Sequence, residues 1–242
     1  MSNSYFRFKQ FVIEQDATAM KVGTDGVLLG AIADLQQART VLDIGTGTGL
    51  IALMVKQRNP QLQVTAIDIE PNAVRQARSN IAQSPWDVEV IETSAQQLGH
   101  SGRVFDLIVC NPPYFTQSLK APDAARTLAR HNDSLPFDEL LQSADNLLAP
   151  DGRFWVILPH NDAPLFAEKA NKIQLYVTQH ITIQSKAGKA PKRSILCIGR
   201  TPQPTRRQTL LLERQEGGYT DTFATLVRNF YLDKNLQQHT NP

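Results

Sequence analysis

Apolar residues along this chain change their spacing several times, and the changes mark out its elements. Short runs rich in Val, Ile, Leu and Phe occupy 40–44, 63–67, 88–92, 105–110 and 153–158. Runs of that length bounded by polar or turn residues predict buried strands. Between them, apolar positions predict helices near 50–58, 71–83 and 136–147, with Pro71 suited to a first helical turn. Strand alternating with helix predicts an α/β fold: a mostly parallel sheet with right-handed crossovers and helices on both faces. The pattern then breaks. Strands at 176–183 and 194–199 are separated by Gln184 and the loop Ser185-Lys-Ala-Gly-Lys-Ala-Pro-Lys-Arg193, with no helix between them. A connection so short cannot make a parallel crossover, so these two strands form a C-terminal antiparallel hairpin. The tail 219–236 puts Phe223, Leu226, Val227, Phe230 and Tyr231 at helical spacing, predicting a helix packed on the domain. Residues 1–39 read as an N-terminal extension packing on a domain spanning 40–242.

Composition adds boundaries. The chain has 242 residues, 41% hydrophobic and 20% charged, which excludes global disorder. No apolar run is long enough to span a membrane, and the N-terminus lacks the apolar core of a secretion signal. Cys110 and Cys197 sit in apolar runs without metal-ligand spacing. The expectation is a reduced, cytoplasmic setting with no metal and no obligatory protein partner. Charge is segregated: residues 184–214 hold eight basic residues and one acid (Glu213), a net +7 in a chain whose total is +2. Such a segment is what a polyanion-binding face looks like, although a solvated surface has the same composition.

Two motifs carry chemistry. Val41-Leu-Asp-Ile-Gly-Thr-Gly-Thr-Gly-Leu50 is a strand, a glycine-rich turn and a helix start. Its third glycine is two residues after the second, which departs from the G-x-G-x-x-G dinucleotide spacing. It resembles motif I of S-adenosylmethionine-dependent methyltransferases. By that resemblance Gly45, Thr46, Gly47 and Gly49 cradle the cofactor. Asp43 orients the turn and meets the cofactor's amino group through water. The next strand ends in Ile67-Asp68-Ile69-Glu70. Asp68 is the first choice for the ribose hydroxyls and Glu70 the second, with Glu70 expected to cap the helix at Pro71. Ile69 is expected against the adenine ring. Many methyltransferases place an aspartate after the third strand, where this chain has Ser94 and Ala95; the Ser94 side chain and the Ala95 amide are expected at the adenine edge.

The fourth strand runs into Asn111-Pro-Pro-Tyr114. Two prolines fix the backbone and remove two donors, leaving the Asn111 side-chain oxygen and the Pro112 carbonyl as acceptors. Two acceptors on the two hydrogens of a conjugated amine pull its nitrogen toward tetrahedral geometry, so its lone pair points at an electrophilic methyl group. Tyr114 offers a face on which a base can stack. Asn111, Pro112, Pro113 and Tyr114 are the expected catalytic set, and no general base is required. Asn111 also faces the cofactor.

A parallel sheet ending in an antiparallel hairpin matches the class I methyltransferases, whose sheet is Rossmann-like. A closer resemblance lies in Phe8-Lys-Gln-Phe11, Gln15-Asp16 and Ala19-Met-Lys-Val-Gly-Thr-Asp-Gly-Val-Leu-Leu29. It continues through 111–115, Pro191-Lys-Arg193 and Tyr219…Phe230-Tyr231-Leu232. These resemble the bacterial tRNA adenine-N6 methyltransferases, which modify the adenosine beside the anticodon (position 37) of a valine tRNA. The resemblance implies S-adenosyl-L-methionine as cofactor and a tRNA anticodon loop as substrate, whose unpaired bases are cheap to extrude. Arg7, Lys9, Lys186, Lys189, Lys192 and Arg193 are then candidates for phosphate contacts. Arg126, Arg130 and His131 are candidates for the substrate channel. Thr24-Asp25-Gly26 reads either as a helix N-cap or as part of the pocket mouth, near Lys21. The other planar amines that the tetrapeptide serves, a ribosomal RNA base or a protein glutamine, are the alternative acceptors. A non-catalytic RNA-binding module on the same fold is the alternative from another class.

Overall fold

The computed structural model describes residues 4–16, 21–113 and 136–233. Its chain order is β1 (Tyr5–Arg7), β2 (Val12–Glu14), α1 (Thr24–Ile32), β3 (Thr40–Ile44), α2 (Leu50–Arg58), β4 (Gln63–Asp68), α3 (Pro71–Ala82), β5 (Glu89–Glu92), α4 (Ala95–Gly99), β6 (Phe105–Cys110), α5 (Phe137–Leu147), β7 (Leu148–Pro159), α6 (Ala163–Lys172), β8 (Tyr176–Gln184), β9 (Arg193–Gly199), β10 (Arg206–Leu211) and α7 (Asp221–Val227). Strands β3 to β10 form one eight-stranded sheet in the order β10-β8-β9-β7-β6-β3-β4-β5. Strands β3 to β7 pair in parallel, whereas β9 is antiparallel to both β7 and β8.

The two-residue alternation of the strands builds a core on each face of the sheet. Val41, Leu107, Val109, Trp155 and Ile157 join α1, α2, α7 and the N-terminal hairpin on one face. Leu42, Ile44, Ile108, Cys110, Phe154, Val156 and Leu158 join α4, α5 and α6 on the other. Strands β1 and β2 form a hairpin outside the main sheet. Phe8 and Phe11 stack at 4.6 Å within it, and both are buried with Ile13 in the first core.

The sequence expectation did not place β1, β2 and α6, and it differs from the structure at three further elements. Strand β10, the outer strand of the sheet, pairs in parallel with β8. Its Arg206-Arg-Gln-Thr start carries no apolar alternation, as suits an exposed edge. Helix α4 has five residues, too few to show a period. The tail helix is short. Thr220 caps α7 by accepting from the Phe223 amide, and the amides of Phe230 and Tyr231 both donate to the Val227 carbonyl at 2.9 Å, closing the turn. Tyr231 then packs on Phe6 and Phe8. The apolar spacing correctly marked buried residues, but a turn serves the same burial. Residues 234–236 of that expected helix lie outside the described residues.

Candidate active site

The C-terminal ends of β5, β4, β3 and β6 lie side by side on one sheet edge. The chain leaves β3 toward β4 on one side, and leaves β6 toward β7 on the other. Ligands in open α/β sheets bind at such a switch point, outside the carboxyl ends of the strands. Residues 45–49 and Asn111 are the segments that flank it here.

The turn after β3 needs its glycines. Gly45, Gly47 and Gly49 have φ of 69°, 57° and 83°, a region that side chains other than glycine rarely adopt. A Cβ on Gly45 or Gly47 would meet nothing within 4 Å among the described residues, so that side of the turn is open to them. Hydrogen bonds from β3 and β4 anchor the turn. The amides of Gly45 and Thr46 both donate to the Ile67 carbonyl at 2.9 Å. The Thr46 hydroxyl donates to Asp43 Oδ2 at 2.7 Å, and the Gly47 amide donates to Asp68 Oδ2 at 2.9 Å.

Asp43 is fully buried. Its Oδ2 is taken by Thr46, while Oδ1 has no hydrogen-bond partner among the described residues. Burial pushes its carboxyl up to about 7, against smaller lowering contributions from the Thr46 hydroxyl and the Ala52 amide; the nearby charge of Asp68 adds to the rise. The neighbouring Cys110 thiol is pushed well up by burial, with Asp43 and Asp68 adding to the effect, so it stays protonated.

At the tip of β4, Asp68 Oδ1 accepts from the Glu70 amide at 3.0 Å. Glu70 is the N-cap of α3, accepting from the Asn72 amide at 3.3 Å. Asp68 is therefore the carboxylate that touches the glycine turn, while Glu70 is engaged in capping. Ile69 is 65% exposed, an apolar side chain presented at the rim. Ser94 is the N-cap of α4: its Oγ accepts from the Gln97 amide at 3.1 Å, in a capping box with Gln97. The Ala95 side chain is buried in the second core. Asn111 leaves β6 next to α1. A Cβ on Gly26 would stand 3.0 Å from Leu50 Cδ2 and 4.0 Å from Asn111 Nδ2, so a side chain at position 26 would press on Leu50, the first residue of α2. Pro112 is buried and Pro113 exposed. Tyr114, Arg126, Arg130 and His131 lie outside the described residues.

The basic candidates divide in two. Lys9 pairs with Asp233 at 2.7 Å, Lys186 with Glu213 at 3.7 Å, and Arg193 with Asp25 at 2.7 Å. Arg200 and Arg214 also have carboxylate partners, Asp145 and Asp221. Arg7, Lys189 and Lys192 are exposed and form no ion pair among the described residues. The raw excess in 184–214 thus overstates the free positive charge. Thr24-Asp25-Gly26 does begin a helix, but the cap position falls on Gly23, and Asp25 serves Arg193 instead.

Sequence reasoning missed Asn80. Its side chain is 1% exposed. Nδ2 donates to the Glu14 and Thr48 carbonyls, each at 2.9 Å, and Oδ1 accepts from the Glu14 amide at 3.0 Å. One residue of α3 thereby ties the N-terminal hairpin to the glycine turn. The available signal was two amides, Gln76 and Asn80, on the face that Ala73, Val74, Ala77 and Ile81 bury.

This fold and this glycine turn define a class I methyltransferase, a fold class that implies S-adenosylmethionine dependence. The chain overlays a crystal structure of a predicted O-methyltransferase from Agrobacterium tumefaciens with a TM-score of 0.65 at 16% identity, covering 85% of this chain and 96% of that one. It also overlays a ribosomal protein L11 methylase from Lactobacillus delbrueckii subsp. bulgaricus with a TM-score of 0.56 at 20% identity, covering 77% and 83%. Residues 19–165 match the model of the methyltransferase small domain. The chain is 46% identical to the tRNA1(Val) (adenine(37)-N6)-methyltransferase of Phocaeicola vulgatus over 96% of its own length and 100% of that protein's. It is 42% identical to the protein of the same name from Pseudoalteromonas translucida, over 95% and 99%. The chain belongs to the tRNA1(Val) (adenine(37)-N6)-methyltransferase family.

Proposed function

We propose that this protein transfers the methyl group of S-adenosylmethionine to the exocyclic N6 amine of adenosine 37 in the anticodon loop of a valine tRNA, as an enzyme of the cytoplasm. The observation that carries the reaction is the adjacency of two segments: the open glycine turn after β3 and Asn111-Pro112-Pro113 after the neighbouring β6. The 46% identity to the Phocaeicola vulgatus protein over nearly the full length of both chains, with the acceptor in that protein's name, supports the choice of acceptor. No helix among the described residues is long and apolar enough to cross a membrane.

The residues present fit the cofactor. The open sides of Gly45 and Gly47 admit its methionine portion against the backbone. The carboxylate of Asp68 keeps lone pairs for the ribose hydroxyls after accepting from Gly47 and Glu70. Ile69 covers one face of the adenine. At Ser94 the hydroxyl proton remains for the adenine edge, since Ser94 Oγ already accepts from Gln97. Asp43 acts from behind the turn, holding Thr46. S-adenosylmethionine supplies a methyl group made electrophilic by its sulfonium.

On the acceptor side, the Asn111 Oδ1 and Pro112 carbonyl accept the two N6 hydrogens. That rehybridises the nitrogen and aims its lone pair across the switch point. Tyr114 stacks on the extruded base. The amine loses one proton after transfer, when it is strongly acidic, so water suffices as the acceptor and no side-chain base is required. Mass spectrometry of nucleosides from valine tRNA of cells lacking the protein tests this reading, together with labelled methyl transfer in vitro to bulk tRNA, ribosomes and release factors. Loss of N6-methyladenosine at position 37 is expected. Label in ribosomes or protein alone overturns it.

A further inference from the structure

Away from the cofactor turn, four side chains touch in a row across the sheet. Arg207 of β10 donates from Nη1 to Nδ1 of His180 on β8 at 3.0 Å. His180 Nε2 is 2.8 Å from Oγ of Ser194 on β9. The same Oγ is 2.9 Å from Nδ1 of His160, the residue after β7. Ser194 is fully buried, the two histidines are half-buried and Arg207 is exposed. The row follows the sheet order β10-β8-β9-β7 and ends beside β6, the strand that delivers Asn111.

Donor counting, together with the burial of the Ser194 hydroxyl, assigns the protons in this row. A guanidinium has donors only. His180 therefore accepts at Nδ1 and carries its proton on Nε2, which donates to Ser194. Ser194 Oγ has lone pairs enough to accept from both rings, but its own buried proton would then have no acceptor among the described residues, so that proton goes to His160 Nδ1. His160 is left with its proton on Nε2. Reversing the direction would set an Arg207 N–H against a His180 N–H. Burial first, and then the neighbouring Arg207 and His160, lower the pKa of His180, in keeping with the neutral ring that the row requires.

The far end of the row lies at the substrate edge. The His160 amide donates to the Lys192 carbonyl at 3.1 Å, so His160 stands at the base of the 185–192 loop. That loop joins β8 to β9 at the end of the sheet where β7 finishes, since Pro159 is paired with Arg193. Lys189 and Lys192 there are exposed. We infer that His160 is a substrate-binding residue whose Nε2–H donates to a phosphate oxygen of the RNA backbone, and that Arg207 is a positioning residue which selects this tautomer through His180 and Ser194. The inference rests on the tRNA reading above.

Steady-state kinetics and nitrogen-15 NMR of the histidine rings test it on the full chain. In the wild type, His160 should show the Nε2–H tautomer; an Nδ1–H signal overturns the proposal without any variant. His160→Ala should raise KM for tRNA by about tenfold, the scale of one charge-assisted hydrogen bond. Its kcat and affinity for S-adenosylmethionine should stay near wild type, while its melting temperature should fall by a few degrees because the buried Ser194 hydroxyl loses its acceptor. His160→Gln keeps an N–H donor and should recover most of the loss. Arg207→Ala should mix the His160 tautomers and raise KM for tRNA less, while Arg207→Lys, also a donor only, should leave both unchanged. Combined with His160→Ala, Arg207→Ala should add nothing. Additive effects would mean that Arg207 meets RNA itself, and an unchanged KM in His160→Ala would remove His160; either result overturns the proposal. A wild-type protein that binds S-adenosylmethionine yet methylates no tRNA would instead overturn the reading on which it rests.

Discussion

Asp43→Asn should stabilise the cofactor-free protein, and by an amount that grows with pH. The Asp43 carboxyl is raised from 3.8 to about 7 because it is wholly buried. Between those values the folded chain holds a proton that the unfolded chain has released. The stability contributed by the neutral carboxyl is therefore full below pH 3.8 and is lost as pH rises through about 7. At about 1.4 kcal/mol per pH unit, the cost to the wild type is roughly 2 kcal/mol at pH 5 and about 4 at pH 8. Asparagine has no proton to lose. Its amide still accepts from Thr46, and whatever its NH2 loses near the Ala52 amide is the same at every pH. The difference between variant and wild type should thus shift in favour of the variant by about 2–3 kcal/mol from pH 5 to pH 8. For a domain of this size that corresponds to roughly 4–12 °C in melting temperature. Thermal melts of both proteins at the two pH values, without cofactor, give the answer. A difference independent of pH would refute the reasoning, since it would mean that Asp43 ionises as a solvent-exposed carboxylate does. The same logic reaches the cofactor: its positive charge favours ionised Asp43, so wild-type affinity should rise with pH through about 7 while the variant's stays flat.

Asn111→Ala should lower kcat by about 100- to 1000-fold, the scale of one lost transition-state acceptor, while calorimetry finds cofactor affinity nearly unchanged. Asp68→Asn should weaken S-adenosylmethionine binding by at least about tenfold in the same measurement, because it loses a charged acceptor for the ribose and an acceptor for one of the two amides, Gly47 and Glu70, that Asp68 holds. Lys189→Ala with Lys192→Ala should make the logarithmic salt dependence of tRNA binding shallower by about 1.4–1.8, in filter binding across a salt series; an unchanged slope would move the RNA face elsewhere. Arg193 is left out of that pair because its charge is already met by Asp25.

What the sequence made legible follows from how local each feature is. The bounds of β3, α2 and β6 coincide with the expected ones, because apolar runs and glycine punctuation are local signals. The glycine turn, Asp68 and the cap at Glu70 were readable for the same reason. Strand β10 was not, since an edge strand is held by backbone pairing and needs no apolar face. Long-range pairings were silent as well. Arg193 meets Asp25 across 168 positions, and a count of basic residues cannot tell a paired guanidinium from a free one. His160, Ser194 and His180 come together only because β7, β8 and β9 are neighbours. Separately in the sequence, they are two histidines and a serine in strand-like runs.

The glycine turn that first marked the site carries a conformational cost. Glycine loses more backbone freedom on folding than any other residue. This turn places three within five positions. A loop of that composition would ordinarily have to be ordered when the cofactor arrives, and that ordering would weaken binding. Here the ordering is done in advance, by groups from other elements. Ile67 holds two amides, Asp68 a third, Asp43 the Thr46 hydroxyl and Asn80 the Thr48 carbonyl. These bonds come from β3, β4 and α3, whereas the Cβ directions of Gly45 and Gly47 meet none of the described residues within 4 Å. The buried, high-pKa state of Asp43 belongs to the same arrangement: stability given up at neutral pH keeps the turn fixed while its ligand-facing side remains bare. Because Asn80 also binds the backbone of Glu14, the N-terminal hairpin is part of that scaffold, which gives a physical reason for a resemblance that begins before the first strand of the sheet.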